Sequence, residues 1–404
     1  MLSDTHAEDL ASLLRSYRRR ARLSQQALAD LSAVSVRAIR DLESGRVKSP
    51  RRETVQLLAD GLRVEGSQRA ALEAATGLPE DTPEPQALGS ASRIPVPTGE
   101  MVGRAAEREL LRELVHAGER LVAVVGLGGV GKTRLVMEVA HELGGSGEWC
   151  VLWADRTTMT DLLGDGISAL AGAIGEQAAV LVLDGCDSSG EHAEALFALL
   201  RRCRRLRVLV TTRRPQHAAG WRMLPLAPLR VPAEAEAVTE QVESVRLLTR
   251  HLRHAHPGFS LDAANASVIA GICRQVDGIP AALEMVAQWS VVHRLDELLE
   301  ELSRDPAALS GWPVPAGRRQ APADAIPQAI GWLDQPAWEL LAVAARISPA
   351  WSVKDVSAAV NRPLGNVARQ VHALLMLGLV RRKETSAGVY FEILRNTRRF
   401  LGLH

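Results

Sequence analysis

Residues 8–78 space apolar side chains three and four positions apart, as in helices that bury one face. Within them, "LSQQALADLSAVSVRAIRDLESG" (Leu23–Gly45) predicts two short helices, one capped by Ser24 and running to Leu31, the other capped by Ser35 and running to Glu43. Ala27, Leu28, Leu31, Val34, Ile39 and Leu42 form the expected shared apolar face, and small Ala27 and Ala29 let the second helix come close. The periodicity stops in "PEDTPEPQALGSASRIPVPTGE" (Pro79–Glu100), a Pro-, Gly- and Ser-rich stretch that reads as an extended, mobile linker. From Met101 to Arg230, continuous apolar runs ("RLVAVVG", "WCVLWAD", "AVLVLDG", "LRVLVTT") alternate with helical patterns, which predicts a parallel sheet with helices on its faces. Beyond Val231 the pattern is almost wholly helical, broken by proline-rich "GWPVPAGRRQAPADAIP" (Gly311–Pro327). The expected organisation is a helical domain over 1–78, a linker over 79–98, an α/β domain over 99–230, a helical domain over 231–310 and a final domain over 325–404.

Composition narrows this picture. A chain of 404 residues, 47% of them apolar, has ample material for several cores. No apolar run approaches the ~18–20 residues that span a bilayer, and "MLSDTHAEDL" lacks the basic-then-apolar pattern of a signal peptide. A cytoplasmic protein with no membrane partner is expected. The four cysteines lie far apart, without a CxxC pair, and read as small buried residues of a reducing compartment. "RHLRHAHPG" brings three histidines together without the carboxylate or cysteine partners of a metal site. The net charge of +1 conceals an asymmetry: Arg15 to Arg52 holds eleven Arg/Lys against three Asp/Glu, or +8, leaving −7 for the remainder. Such a basic segment on a near-neutral chain predicts a polyanion-binding module.

The second of the two short helices would present Val36, Arg37, Arg40 and Asp41, a face suited to a major groove. Arg37 is the candidate base reader, since a forked guanidinium takes guanine O6 and N7 together, and Val36 is placed to touch a thymine methyl. Gln25, Ser35, Arg46, Lys48, Arg51 and Arg52 are candidates for gripping phosphates, which sets register rather than sequence. Arg18 to Arg20 read equally as phosphate contacts or as a solvated helix face. Residues 10–64 resemble the XRE/Cro-like family, matching "LSQ-x-x-LA…S-x-x-x-I-x-x-L-E-x-G" at nearly every position, with "RSYRRRA" before and "PRRETVQLLADGL" after. The resemblance implies a partner: double-stranded operator DNA.

"GLGGVGKT" (Gly126–Thr133) fits G-x-x-x-x-G-K-[ST] and joins the strand "RLVAVV" to a helical pattern. Gly126, Gly128, Gly129, Val130 and Gly131 would turn backbone N–H groups toward phosphates, with Arg134 just inside the helix. Lys132 would reach the β and γ phosphates, and Thr133 would coordinate Mg2+ with Asp184, at the end of "VLVLD". Arg213, closing "VLVTTRR", would reach a γ-phosphate. Without an N-K-x-D motif, ATP or ADP is the expected cofactor rather than a guanine nucleotide.

"MVGRAAERELL", "GLGGVGKT", "VLVLDGCD", "VLVTTRR" and "GIPAALEM", in that order, resemble the STAND class of signal-transducing ATPases, which is related to NB-ARC switches; bacterial antibiotic-pathway regulators are the nearer likeness. The resemblance implies that Gly103 and Arg104 sit near adenine and ribose, that Pro280 packs on the base, and that Arg213 is a sensor arginine. "WSVKDVSAAVNRPLGNVARQVHALLMLGLVRRKETSAGVYFEIL" (Trp351–Leu394) resembles the winged helix that closes such cores, where Arg381, Arg382 and Lys383 offer a less favoured DNA contact. Two departures stand out: no methionine-histidine-aspartate motif is found, and no repeat array precedes His404. The implied fold class is multidomain: an all-α helix-turn-helix, an α/β P-loop NTPase with a parallel sheet, a helical domain and a winged helix. The implied function is a DNA-binding transcription regulator controlled by an ATP/ADP switch, a weak ATPase that forms nucleotide-dependent homo-oligomers. An acid often adjoins the metal-binding aspartate or follows it by three places. Gly185 fills the adjacent position here, so Asp187 is the expected orienter of the attacking water, with Glu191 weaker, and hydrolysis is expected to be slow. The alternatives are an ATP-driven DNA-processing enzyme, such as a loader or transposition helper, and a nucleotide-gated signalling scaffold.

Overall fold

The computed structural model describes residues 10–21, 23–32, 34–44, 52–62, 64, 94–97, 99–164, 166–187, 192–215, 220–234, 236–305, 324–347, 350–386 and 388–403. The chain divides into two units, Met1–Pro83 and Glu84–His404.

In the first unit, the 3–4 spacing becomes helices α1 (Leu10–Arg20), α2 (Gln25–Ser32), α3 (Val36–Glu43) and α4 (Arg52–Leu62). Leu14, Leu28, Ile39 and Leu58, one from each, meet in a single core. The Ser24 hydroxyl accepts from Ala27 N at 3.0 Å and the Ser35 hydroxyl from Ala38 N at 3.2 Å, so both caps form. The expected apolar face needs correcting at Leu31, which is 57% exposed, while Ala29 and Ser32 turn inward. Ser32 is tolerated because its hydroxyl donates to Leu28 O at 2.6 Å. Ala27 is only half-buried, and the close helix approach lies elsewhere: a Cβ on Gly61 of α4 would stand 2.9 Å from Ser32 Cβ.

The second unit begins with α5 (Ala105–His116), followed by β1 (Leu121–Val125), α6 (Lys132–Gly145), β2 (Cys150–Ala154), α7 (Met159–Leu163), α8 (Ile167–Ile174), β3 (Ala179–Leu183), α9 (Ala193–Arg202), β4 (Leu206–Thr212) and β5 (Arg222–Pro225). The sheet is parallel throughout, in the order β2-β3-β4-β1-β5. Its strands read as unbroken apolar runs because both faces are covered. Val122, Val124, Val180 and Val182 face α5 and α6, while Leu121, Ala123, Leu181 and Leu183 face α7, α8 and α9. Strand β5 was not legible beforehand: it is a four-residue edge strand that begins in exposed Arg222 and ends in Pro225. With β4 between β1 and β3, the carboxyl ends of these three strands adjoin, which is where open α/β sheets build their sites.

Helices α10 (Glu243–Ala255), α11 (Ala266–Gln275), α12 (Pro280–Trp289) and α13 (Leu295–Arg304) follow. Next come α14 (Ala325–Ile330), α15 (Gln335–Ile347), β6 (Ala350–Trp351), α16 (Val353–Val360), α17 (Leu364–Met376), β7 (Val380–Thr385), β8 (Gly388–Ile393) and α18 (Arg395–Phe400), with an antiparallel sheet in the order β6-β8-β7. One hydrophobic core runs from the α6 face of the parallel sheet through α10–α13 to Trp351, Val371 and Phe391. It crosses the division at residue 230 without a gap, because amphipathic helices on either side bury their stripes against each other. The described end of the expected linker is also fixed: Ile94 packs on this core, and His141 on α6 bonds Pro95 O at 2.9 Å.

Candidate nucleotide site and nucleic-acid face

The loop after β1 runs from Gly126 to Gly131 and opens α6. Its close approach to α12 explains Gly129: with φ at +82°, a Cβ there would stand 2.7 Å from Ala281 Cβ, and Gly129 O accepts from Ala281 N at 3.1 Å. Pro280, the first residue of α12, is a residue without a backbone donor at a position that needs none, and its neighbours Ile279 and Ala281 pack on Gly129 of the phosphate-loop motif. Lys132 is buried, and its Nζ donates to Gly126 O and Leu127 O, both at 2.8 Å. Burial pushes its pKa down to about 8; Asp187 and Asp184 oppose the fall while Arg213 adds to it.

Asp184 follows β3, and its Oδ1 accepts from Thr133 Oγ1 at 2.8 Å and from Thr211 Oγ1 at 2.6 Å. A hydroxyl and a carboxylate in contact beside a phosphate-type loop are a donor set that fits Mg2+. Thr211, on β4, is a residue the sequence reading missed. It holds Asp184 while accepting from Gly185 N at 2.8 Å, and only the β3–β4 pairing brings it there. Gly185 takes φ of +78°, which turns the chain back so that Asp187 faces β4.

Asp187 requires the main correction. Its Oδ1 accepts from Arg213 N at 2.8 Å, and its Oδ2 from Arg213 Nε at 2.9 Å, Arg213 Nη2 at 2.5 Å and Arg156 Nη1 at 3.2 Å. Both oxygens are engaged, so in this conformation the carboxylate clamps an arginine instead of orienting a water. Arg213 in turn donates through Nη1 to Gln328 Oε1 on α14 at 2.7 Å. The expected γ-phosphate contact is thereby tied to the C-terminal segment. Glu191 lies outside the described residues.

Arg104 adopts φ of +69° at the start of α5 and bonds Glu107 at 2.8 Å, Ala227 O at 2.5 Å and Val130 O at 3.4 Å, within reach of the loop. Its neighbour Gly103 lies against Glu243. Arg134 pairs with Glu138 at 2.6 Å and donates to Gly99 O, so its guanidinium braces the chain entering this unit. Gly126 packs on Leu226 O, Gly128 on Ala325, and Val130 is buried.

The C-terminal cations differ from expectation. Arg381 is turned inward and donates to Asp277 O, while Arg382 pairs with Glu384 at 2.9 Å and Lys383 with Glu392 at 2.7 Å. Arg381 is thus withdrawn from any duplex by its part in holding the loop before Pro280. Asp277 itself is buried, and its carboxylate accepts from Arg395 N at 2.8 Å and Asn396 N at 2.9 Å at the start of α18. Burial raises its pKa, against the lowering effect of those two N–H groups and Arg381.

On α3, the Arg37 side chain is 93% exposed and stands 4.0 Å from Asp41. Arg40 is exposed, Asp41 half-buried, and Val36 half-buried against the core. Gln25 faces inward and donates to Glu43 Oε2 at 2.8 Å. Arg18 is neither a phosphate grip nor a solvated residue: its Nε and Nη2 donate to Glu43 at 2.6 and 2.9 Å, in a pair whose side chains are 13% and 5% exposed. The signal for it was an isolated Glu on an otherwise apolar face. Arg46, Lys48, Arg51 and the Arg52 side chain lie outside the described residues.

Residues 9–72 match the family model described as a helix-turn-helix domain, and the chain carries that domain at its N-terminus. An uncharacterized protein of Mycobacterium tuberculosis is 32% identical over 211 residues, 46% of this chain and 49% of that protein. Another protein of Mycobacterium tuberculosis, provisionally named an HTH-type transcriptional regulator, is 32% identical over 190 residues, 42% of this chain and 20% of that protein. The match thus spans about half the length of the first relative and a fifth of the second. Among solved structures, a STAND protein with a tetratricopeptide repeat sensor from Pyrococcus horikoshii is 16% identical, covering 77% of this chain and 43% of that one with a TM-score of 0.33. AMPPCP-bound DnaA from Aquifex aeolicus is 13% identical, covering 74% of this chain and 92% of that one with a TM-score of 0.35. Superpositions this loose carry no argument about what this chain does.

Proposed function

We propose that the chain is a transcription regulator of the STAND type, in which an ATP/ADP switch governs an N-terminal DNA reader. The observation that carries this reading is the convergence of two downstream segments on the phosphate-type loop. Ala281 and Ile279, on either side of Pro280, pack on Gly129, and Gln328 holds Arg213, while Gly378 lies so near Leu127 that a Cβ would stand 3.1 Å from its N. In this reading a nucleotide entering the loop reorganises these contacts, which couples its state to domain arrangement.

The residues divide the work by chemistry. The backbone N–H groups of residues 126–131 and Lys132 would bind the phosphates, with Lys132 exchanging its two carbonyl acceptors for phosphate oxygens. Thr133 and Asp184 would hold Mg2+, which neutralises charge on the β and γ phosphates when bound. Arg213 would leave Asp187 and Gln328 for a γ-phosphate, so ATP loosens the C-terminal segment and ADP leaves it latched. Asp187 then stabilises the resting form, and slow hydrolysis follows from its engagement with Arg213 in that form.

The test is DNA affinity and oligomeric state of the purified chain on its own promoter, measured by gel shift and sedimentation with ADP or ATP. Both are expected to respond to the nucleotide. Gln328→Ala removes a hydrogen bond to a charged group worth ~1.5 kcal/mol, so roughly tenfold less ATP should bring about the same change. Indifference of DNA affinity and assembly to both nucleotides would overturn the switch. DNA-stimulated turnover well above about 1 per second would point instead to an ATP-driven enzyme. On the DNA side, Arg37→Ala is expected to cost ~1–3 kcal/mol on the operator and little on random duplex, read by competition binding. Equal losses on both would remove Arg37 from base reading.

A further inference from the structure

A cavity of about 1030 Å³ opens between the segment leaving the parallel sheet, the end of α11, the β7–β8 hairpin and α18. No residue of the phosphate-type loop lines it. One part of the wall is apolar, with Pro228, Val231, Leu375, Met376 and Ile393. The other part is cationic: the lining holds eight arginines and lysines against Glu234, Asp277 and Glu392.

Three of the eight are paired, Arg230 with Glu236, Arg382 with Glu384 and Lys383 with Glu392, and the lining carboxylates do not balance the other five. Asp277 is occupied by the backbone of Arg395 and Asn396, Glu392 by Lys383, and Glu234 is exposed. Arg381, Arg274 and Arg399 donate, among the described residues, only to backbone carbonyls, of Asp277, of Pro232, and of Leu302 and Ser303. Among the described residues, the side chains of Arg395 and Arg398 make no hydrogen bond or ion pair. Nε of Arg381 and Nη1 of Arg398 are buried without an acceptor. Burial lowers the pKa of both Arg381 and Arg399, and the Arg395 charge lowers that of Arg399 further. A buried donor left unmade is costly, more so when charged, so this wall is less stable as it stands than with an anion against it.

We propose that this cavity binds a small organic phosphate, an apolar body bearing at least two negative charges, as a second ligand separate from the nucleotide at the phosphate-type loop. Its volume suits a metabolite-sized molecule and is far too small for a nucleic-acid duplex. Forked guanidinium groups favour phosphate oxygens, and the apolar wall favours a ligand with a non-polar body. The cavity also has a mechanical route to the loop. Asp277 joins Arg381 and α18 on one side and leads into Gly278–Pro280 on the other, so an anion drawing on these cations would pull on the turn that touches Gly129. Binding does not depend on the switch reading; only its effect on DNA affinity rests on that.

The test uses the full chain and the fluorescence of 8-anilinonaphthalene-1-sulfonate, an apolar ring system with an anionic group, displaced by inorganic pyrophosphate. Saturable, pyrophosphate-displaceable binding is expected, unchanged in Lys132→Ala and weakened at least tenfold in Arg398→Ala. Arg395→Glu, at an exposed position that spares the core, should weaken it equally. Binding that ignores both arginine substitutions, binding lost in Lys132→Ala, or no displaceable binding would each overturn the proposal. Because the readout needs neither DNA nor ATP, its failure is distinct from failure of the switch.

Discussion

Glu43→Ala is expected to unfold the N-terminal helical domain at ordinary temperatures while leaving the second unit folded. Glu43 is 4% exposed and closes the core between α1, α2 and α3, accepting from Arg18 at 2.6 and 2.9 Å and from Gln25 at 2.8 Å. Arg15 also donates to its backbone carbonyl. Removing one partner of a buried pair leaves the other charge uncompensated, at a cost of ~3–5 kcal/mol. A domain of this size has only about 3–10 kcal/mol in total, so the loss takes most of it. The same pair sets a pH dependence. Burial would raise the Glu43 pKa, but hydrogen bonds from Arg18 and Gln25, with the Arg18 and Arg15 charges, outweigh it and hold the carboxyl below its ordinary 4.5. A depressed acid stabilises the fold above its unfolded pKa, and that stability is lost as pH falls from 4.5 through the folded value. A circular-dichroism melt of the full chain should resolve an early transition that is lost in Glu43→Ala and moves down below pH 4.5. An unchanged early transition in the variant would show that the pair is not what holds the three helices.

Lys132→Met is expected to act in opposite directions on the nucleotide-free chain and on nucleotide binding. With its pKa lowered to about 8 by burial, the ammonium costs the empty fold on the order of 3 kcal/mol while it is charged. Below pH 8 the lysine is protonated both folded and unfolded, so the cost is fully present; it is relieved as pH rises from 8 toward 10.5. Methionine keeps the aliphatic stem and removes the charge. The melting temperature of the empty variant should therefore exceed that of the wild type at pH 7, and the gap should close above pH 8. The same substitution removes the cation that meets the phosphates, so ADP and ATP should bind ~100-fold more weakly and their stabilisation should disappear. A less stable empty variant at pH 7, or undiminished stabilisation by ADP, would contradict the role given to Lys132.

Much of this molecule is local, and local features were legible in the chain. The caps at Ser24 and Ser35, the apolar runs of β1 to β4 and the loop Gly126–Thr133 each occupy a few consecutive residues, so spacing and residue type were enough to read them. Strand β5 was missed because an edge strand of four residues has no periodicity to detect. Leu31 was misassigned because eight residues of α2 are too few to distinguish its exposed face from the one shared with Ser32 and Gly61. What tertiary structure alone decided is which charged residue meets which. Arg18 with Glu43, Asp187 with Arg213, Arg213 with Gln328 and Arg381 with Asp277 are separated by 25 to 115 positions, and no local pattern joins them. A charge's partner is set by the packing of apolar faces far from it in sequence. The chain therefore announced a phosphate-type loop and a helix-turn-helix, while only the fold decided that Asp187 holds an arginine and that Arg381, Arg395, Arg398 and Arg399 gather around one cavity without a carboxylate partner of their own among the described residues.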